Sequence, residues 1–135
     1  MVDVTGRSYG VLCHSRDLAD GGKGIRFTVR HQGEVLPAFL IRYRGRPHAY
    51  LNQCAHQSVE LDWNEGDFFD SEGEFLICAT HGARYWPATG ACAGGRCNGR
   101  GLVRLEVVET GSQVCLAERD GVHLLNVETQ GQPLR

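Results

Sequence analysis

Two short stretches restrict the fold more than anything else in the chain: NQCAHQS at 52–58 and LICATHGARY at 76–85. Each sets a histidine close behind a cysteine, Cys54-x-His56 in the first and Cys78-x-x-His81 in the second. Thiolate and imidazole are the side chains best suited to transition metals such as zinc and iron. If the four act together, the fold must carry two loops, separated by residues 57–77, to one point. A structural metal, a redox cluster and coincidence in a cysteine-containing β protein all remain open at this stage.

The rest of the chain alternates with period two, the pattern of strands with one face buried. In GIRFTVR the apolar set is Ile25, Phe27 and Val29, with Arg26, Thr28 and Arg30 facing the other way. HQGE turns the chain into VLPAFLIRY, a more uniformly apolar strand whose Pro37 suggests an edge or a bulge. RGRP turns again into HAYLN, which delivers Cys54. GDFF-DSEG-EFLIC reads as a hairpin whose second strand delivers Cys78. LVRLEVVE, QVCLAE and VHLLNV predict a C-terminal meander, and ETQGQPLR a frayed tail. Only SRDLADGG reads as a helical turn. Eighteen glycines fit a turn-rich, all-β chain. The expectation is a single domain over 1–135 with a loop-rich insertion from about Cys54 to Gly101.

A net charge of −2 and a pI near 6.3 argue against nucleic acid or an anionic membrane as the main partner. No apolar run approaches a membrane span. The opening MVDVTGRSYG has neither a basic start before an apolar stretch nor a twin-arginine pair, so a cytoplasmic location is expected. Disulfides are disfavoured there, and six cysteines then call for metal or catalysis.

A zinc finger takes its cysteines from one knuckle and its histidines from one helix. Here each loop is mixed. Two bridged irons explain this better, each loop giving its cysteine to one iron and its histidine to the other, as in a site where two histidines replace two cysteines. The sequence resembles the Rieske domains, whose signature C-x-H, then C-x-x-H-G, is matched by Cys54, His56, Cys78, His81 and Gly82. The resemblance covers residues 8 to 126. It implies an antiparallel β sandwich with a cluster-binding subdomain and a Rieske-type [2Fe–2S] cluster. Cys54 and Cys78 would hold the inner iron, and His56 and His81 the outer, more exposed one. Zinc stays as the alternative metal.

Rieske proteins of respiratory complexes carry an extra, disulfide-linked cysteine in each ligand loop. Val59 and Thr80 stand at the corresponding positions here. Those proteins also aim a serine and a tyrosine hydroxyl at the cluster; this chain has Ala83 for the serine and keeps Tyr85. Hydroxyl donors favour the reduced state, so the resemblance implies a potential in the lower half of the roughly −150 to +300 mV Rieske range. It also implies a potential that falls at alkaline pH as the ligand imidazoles lose protons.

Residues 57–77 hold Glu60, Asp62, Glu65, Asp67, Asp70, Glu72 and Glu74 without a lysine or arginine. The run reads as a solvated hairpin or, functionally, as a docking face for a basic partner. Cys92 and Cys97 bracket AGGR; two free thiols are the plain expectation, a disulfide or redox-active pair the alternative. Cys13 and Cys115 read as ordinary strand residues, and His14, His31, His48 and His123 as solvent-facing or hydrogen-bonded. Trp63 and Trp86 are expected to pack around the insertion. Residues 82–135 hold one histidine, His123, too few for the mononuclear iron site of an oxygenase. The resemblance therefore implies a stand-alone ferredoxin, not an enzyme, carrying electrons from a reductase to an oxygenase or similar terminal enzyme. The alternative is a redox or sensor subunit bound permanently to a larger oxidoreductase.

Overall fold

The structure of the chain, a computed structural model, describes residues 8–54, 60–80, 82–97 and 99–128. Of the expected frayed tail, Glu128 is held against Arg26 and residues 129–135 lie outside the described residues. Strands β1 (Ser8–His14), β2 (Ile25–His31), β3 (Glu34–Tyr43) and β4 (Arg46–Leu51) precede the two Cys/His segments. Within and after them come β5 (Leu76–Ile77), β6 (Arg84–Tyr85), β7 (Cys92–Gly94), β8 (Arg104–Leu105), β9 (Val107–Glu109), β10 (Gln113–Glu118) and β11 (Val122–Val127). The SRDLADGG segment supplies a short 3-10 turn at Ser15–Asp17.

One sheet has five strands in the order β11-β2-β3-β4-β8, a second has β1-β10-β9, and a third, β5-β6-β7, lies within the insertion. Strands β2, β3 and β4 are joined by two-residue turns, Gln32-Gly33 and Arg44-Gly45. Both residues of each have positive φ, the turn that suits the right-handed twist of a hairpin. The predicted C-terminal meander is corrected. LVRLEVVE breaks at Glu106, so that β8 completes the five-stranded sheet while β9 pairs with β10 in the second. The chain crosses back through Asp120-Gly121 to lay β11 beside β2.

Between the two large sheets lies one core, built from Leu12, Phe27, Val29, Leu40, Leu51, Leu116 and their neighbours. A second core lies on the other side of β3 and β4, where Phe39, Ile41 and Tyr50 meet Leu61, Phe68, Leu76 and Tyr85 of the insertion. Phe68 stacks on Phe39 with ring centroids 4.0 Å apart. Alternate residues of β3 thus face different cores, which is why VLPAFLIRY is apolar on both sides. Each large side chain buried there contributes about 1.5–3 kcal/mol.

Pro37 marks neither an edge nor a bulge. It sits in the central strand opposite Thr28, with the β2–β3 register unbroken. Its carbonyl accepts from Asn52 N at 2.8 Å, so its nitrogen faces the side where β4 has already ended and no ladder bond is lost. Arg42 at the end of β3 ties the sheets together. It forms a fork to Glu109 of β9 at 2.7 and 3.0 Å and donates to the carbonyls of Leu18 and Ser15.

Candidate metal centre

Strand β4 points the chain into the second core and releases it at Asn52, so Cys54 arrives with only 3% of its surface exposed. Strand β5, held against β6, delivers Cys78, which is fully buried. The loop beyond Cys78 folds back on itself: Gly82 N donates to Cys78 O at 2.7 Å and Cys78 N to Ala83 O at 2.9 Å. That return places Tyr85 beside the first loop. Its hydroxyl lies 3.6 Å from Cys54 Sγ, across 31 residues of sequence. Cys54, Cys78 and Tyr85 therefore meet in one apolar core, with Ala83 buried in it as well. His56 and His81 lie outside the described residues, as does Val59.

Cys92 and Cys97 form a disulfide, not two separate thiols. The bridge staples the glycine-rich loop whose strand β7 pairs with β6, Tyr85 opposite Cys92. Gly95 within that loop rests on the second ligand loop. A Cβ there would stand 2.7 Å from Gly82 O and 3.1 Å from Ala83 Cα, and its φ of +79° also demands glycine. On the opposite side, the Tyr50 hydroxyl donates to Pro87 O at 2.6 Å, and burial raises its pKa to about 12.

The acidic run divides by environment. Glu65, Asp67, Glu72 and Glu74 are exposed, while Asp70 accepts from Glu74 N and Phe75 N in the hairpin turn. Asp62 is buried, against the expectation of a solvated face, and Arg26 of β2 covers it with an N–O distance of 2.8 Å. Trp63 is 80% exposed and does not pack around the insertion as expected. It lines a groove of about 520 Å³ with Phe69, Ile77, Ala79 and Thr80, the last two being the spacer of the second motif. Trp86 is half exposed against Phe75. His48 also departs from expectation: it is buried, its Nδ1 has no hydrogen-bond partner among the described residues, and burial depresses its pKa, helped by Arg104 and Arg46. Cys13 and Cys115 are strand residues, both with raised pKa values from burial, Cys13 to about 11.

Sequence reasoning missed Arg26, Asn52 and Asp62. Arg26 fell on the outward side of an alternating strand, and Asp62 was hidden among exposed acids. The available signal was Leu61 directly before Asp62, since Trp63 on the other side is itself exposed.

The family model of the Rieske [2Fe-2S] domain matches residues 8–116. The chain belongs to the Rieske family. Among solved structures, this Rieske chain is similar to the ferredoxin of carbazole 1,9a-dioxygenase from Nocardioides aromaticivorans IC177, with a TM-score of 0.63 and 21% identity over 82% of this chain and 97% of that one. It is also similar to the Sphingomonas yanoikuyae B1 ferredoxin, with a TM-score of 0.63 and 20% identity over 83% and 100%. The terminal oxygenase of the Nocardioides carbazole dioxygenase shares the fold over 81% of this chain but only 29% of its own, with a TM-score of 0.60 and 18% identity. No curated protein matches the chain.

Membership in this family implies a Rieske-type [2Fe–2S] cluster. Two cysteines from separate loops, gathered in a dry core with a phenol hydroxyl beside one sulfur, fit the cysteine half of such a site. Among the described residues no helix is long and apolar enough to cross a membrane.

Proposed function

We propose that this Rieske protein is a one-electron carrier of the ferredoxin type, with Cys54, Cys78, His56 and His81 holding the cluster. The observation that carries the reading is the convergence of Cys54, Cys78 and Tyr85 in one core. When bound, the cluster supplies a single reversible electron-transfer step. The chain's own residues set its terms. Burial of Cys54 and Cys78 keeps water from the thiolates, and with Cys54 bound as a thiolate the Tyr85 hydroxyl, 3.6 Å away, would be the donor toward its sulfur. Ala83 offers no second hydroxyl, which favours the lower part of the Rieske range.

Residues 1–135 are read as one domain with the cluster-binding insertion at about 54–101, without a catalytic site of its own and placed in the cytoplasm. Electrons pass from a reductase to an oxygenase or similar terminal enzyme. Similarity to the ferredoxin of a dioxygenase supports that pairing. The exposed Trp63 and its groove along Ala79 and Thr80 offer a contact face beside the second motif, and the nearby Glu65 and Asp67 suit a basic partner. No nucleic-acid or membrane partner is invoked.

The test is anaerobic purification with metal analysis. A red-brown protein bleached by dithionite, with iron and acid-labile sulfide in equal amounts, is expected, and so is a potential that falls as pH rises above neutral. Zinc or no metal in the purified protein would end the proposal.

A further inference from the structure

The first ligand loop leaves β4 at Asn52 and returns at Leu61, and the two ends are locked to each other by side chains. Asn52 Oδ1 accepts from Leu61 N at 2.9 Å, while Asn52 Nδ2 donates to Asp62 Oδ1 at 2.9 Å. The other carboxylate oxygen of Asp62 accepts from Arg26 Nη1 at 2.8 Å and Gly66 N at 2.9 Å. Asn52 is 1% exposed and the Asp62 side chain wholly buried. Arg26 also reaches Glu60 and Glu128. The same segment holds the second ligand loop, because Ala79 N, next to Cys78, donates to Leu61 O at 2.9 Å.

A buried carboxylate is costly unless its oxygens are satisfied. Here the described partners come from β2, from the exit of β4 and from the chain beyond the loop. A solvated acid in a hairpin would need none of them. The arrangement fixes the spacing between the segments that carry Cys54 and Cys78, neither of which holds a further cysteine that could tie them together.

We infer that Asn52 and Asp62 form a polar clasp, backed by Arg26, that positions the two ligand loops and thereby tunes the cluster. They are positioning residues, and the inference rests on the cluster reading above. Polarity is the specific part. Asn52 presents an oxygen to Leu61 N and an NH2 to Asp62, so either substitution alone, Asn52→Asp or Asp62→Asn, breaks a donor–acceptor match. The exchange of both restores it, with the carboxylate at 52 accepting from Leu61 N and from the new amide at 62.

The experiment loads wild type, N52D, D62N, the N52D/D62N double variant and R26K with cluster. It follows the reduced-state EPR g-values, the reduction potential and iron release to a chelator. Each Asn52 or Asp62 single variant is expected to release iron about tenfold faster or more, with shifted or broadened g-values in the molecules still loaded. The double variant should return to within about threefold of wild type, as coupled neighbours do in a double-mutant cycle. R26K keeps the charge but loses the fork, and is a milder probe should a carboxylate variant fail to fold; it is expected to shift the g-values in the same direction by less. Loaded single variants with wild-type g-values, potential and release rate would overturn the inference, leaving only a structural role. A double variant no better than its parents would overturn it too. Wild type without a cluster would instead sink the functional reading.

Discussion

Replacing Tyr85 with phenylalanine removes one hydroxyl, 3.6 Å from Cys54 Sγ, from a fully buried site and leaves the ring volume in place. Reduction adds negative charge to the iron-bound sulfurs, so a donor aimed at one of them favours the reduced state more than the oxidised. A hydrogen bond to a charged group is worth about 1.5–3 kcal/mol, and at this long donor–sulfur distance about 1 kcal/mol is a fair share for the difference between redox states. For a one-electron couple, about 59 mV corresponds to a tenfold change or 1.4 kcal/mol, so the potential of Tyr85→Phe should fall by about 40 mV. Potentiometric titration of both proteins, followed by visible circular dichroism, measures it. Folding stability should change by about 1 kcal/mol or less, since no apolar volume is lost. A potential that rises, or stays within about 10 mV of wild type, would refute the claim that this hydroxyl serves the cluster.

Ala83→Ser places a hydroxyl in the same buried pocket and should raise the potential, checked by the same titration. Trp63→Ala should slow electron transfer to a basic acceptor such as cytochrome c while leaving the potential unchanged, and stopped-flow reduction across a salt series separates the two. The fork from Arg42 holds the Glu109 carboxyl below its ordinary pKa of 4.5, so its stabilisation is full above that value and lost as pH falls through the depressed one. Glu109→Gln should therefore lower Tm at neutral pH and show a shallower loss on acidification than wild type. Opening the short Cys92–Cys97 loop, with a separation of 5 residues, through Cys97→Ser should cost about 2 kcal/mol in denaturant unfolding on the chain-entropy argument.

Strand periodicity revealed β2, and the run HAYLN delivered Cys54 where the structure puts it, because one-faced burial writes its pattern directly into alternation. β3 was harder to interpret. A strand buried on both faces loses the alternation, and Pro37 then pointed to an edge that does not exist. The break of LVRLEVVE at Glu106 was invisible, since passage from one sheet to another changes the partner and not the residue pattern. The convergence of Cys54 and Cys78 in one core was legible from the spacing of the two motifs. Asp62 was not, because its meaning comes from Arg26, 36 residues away, and charge in a local window reads as surface. The Cys92–Cys97 bridge depends on the two backbones coming within reach, which no sequence interval guarantees.

The wall formed by β3 and β4 has a consequence for how the holoprotein matures. Among the described residues, neither Cys54 nor Cys78 belongs to the sandwich core on one side; both belong to the core on the other. Phe39, Ile41 and Tyr50 form the floor on which the half holding Cys54 and Cys78 is packed. On the proposed reading, cofactor insertion would close the second half over a standing base, and metal loss would strip the molecule back to that base without erasing it.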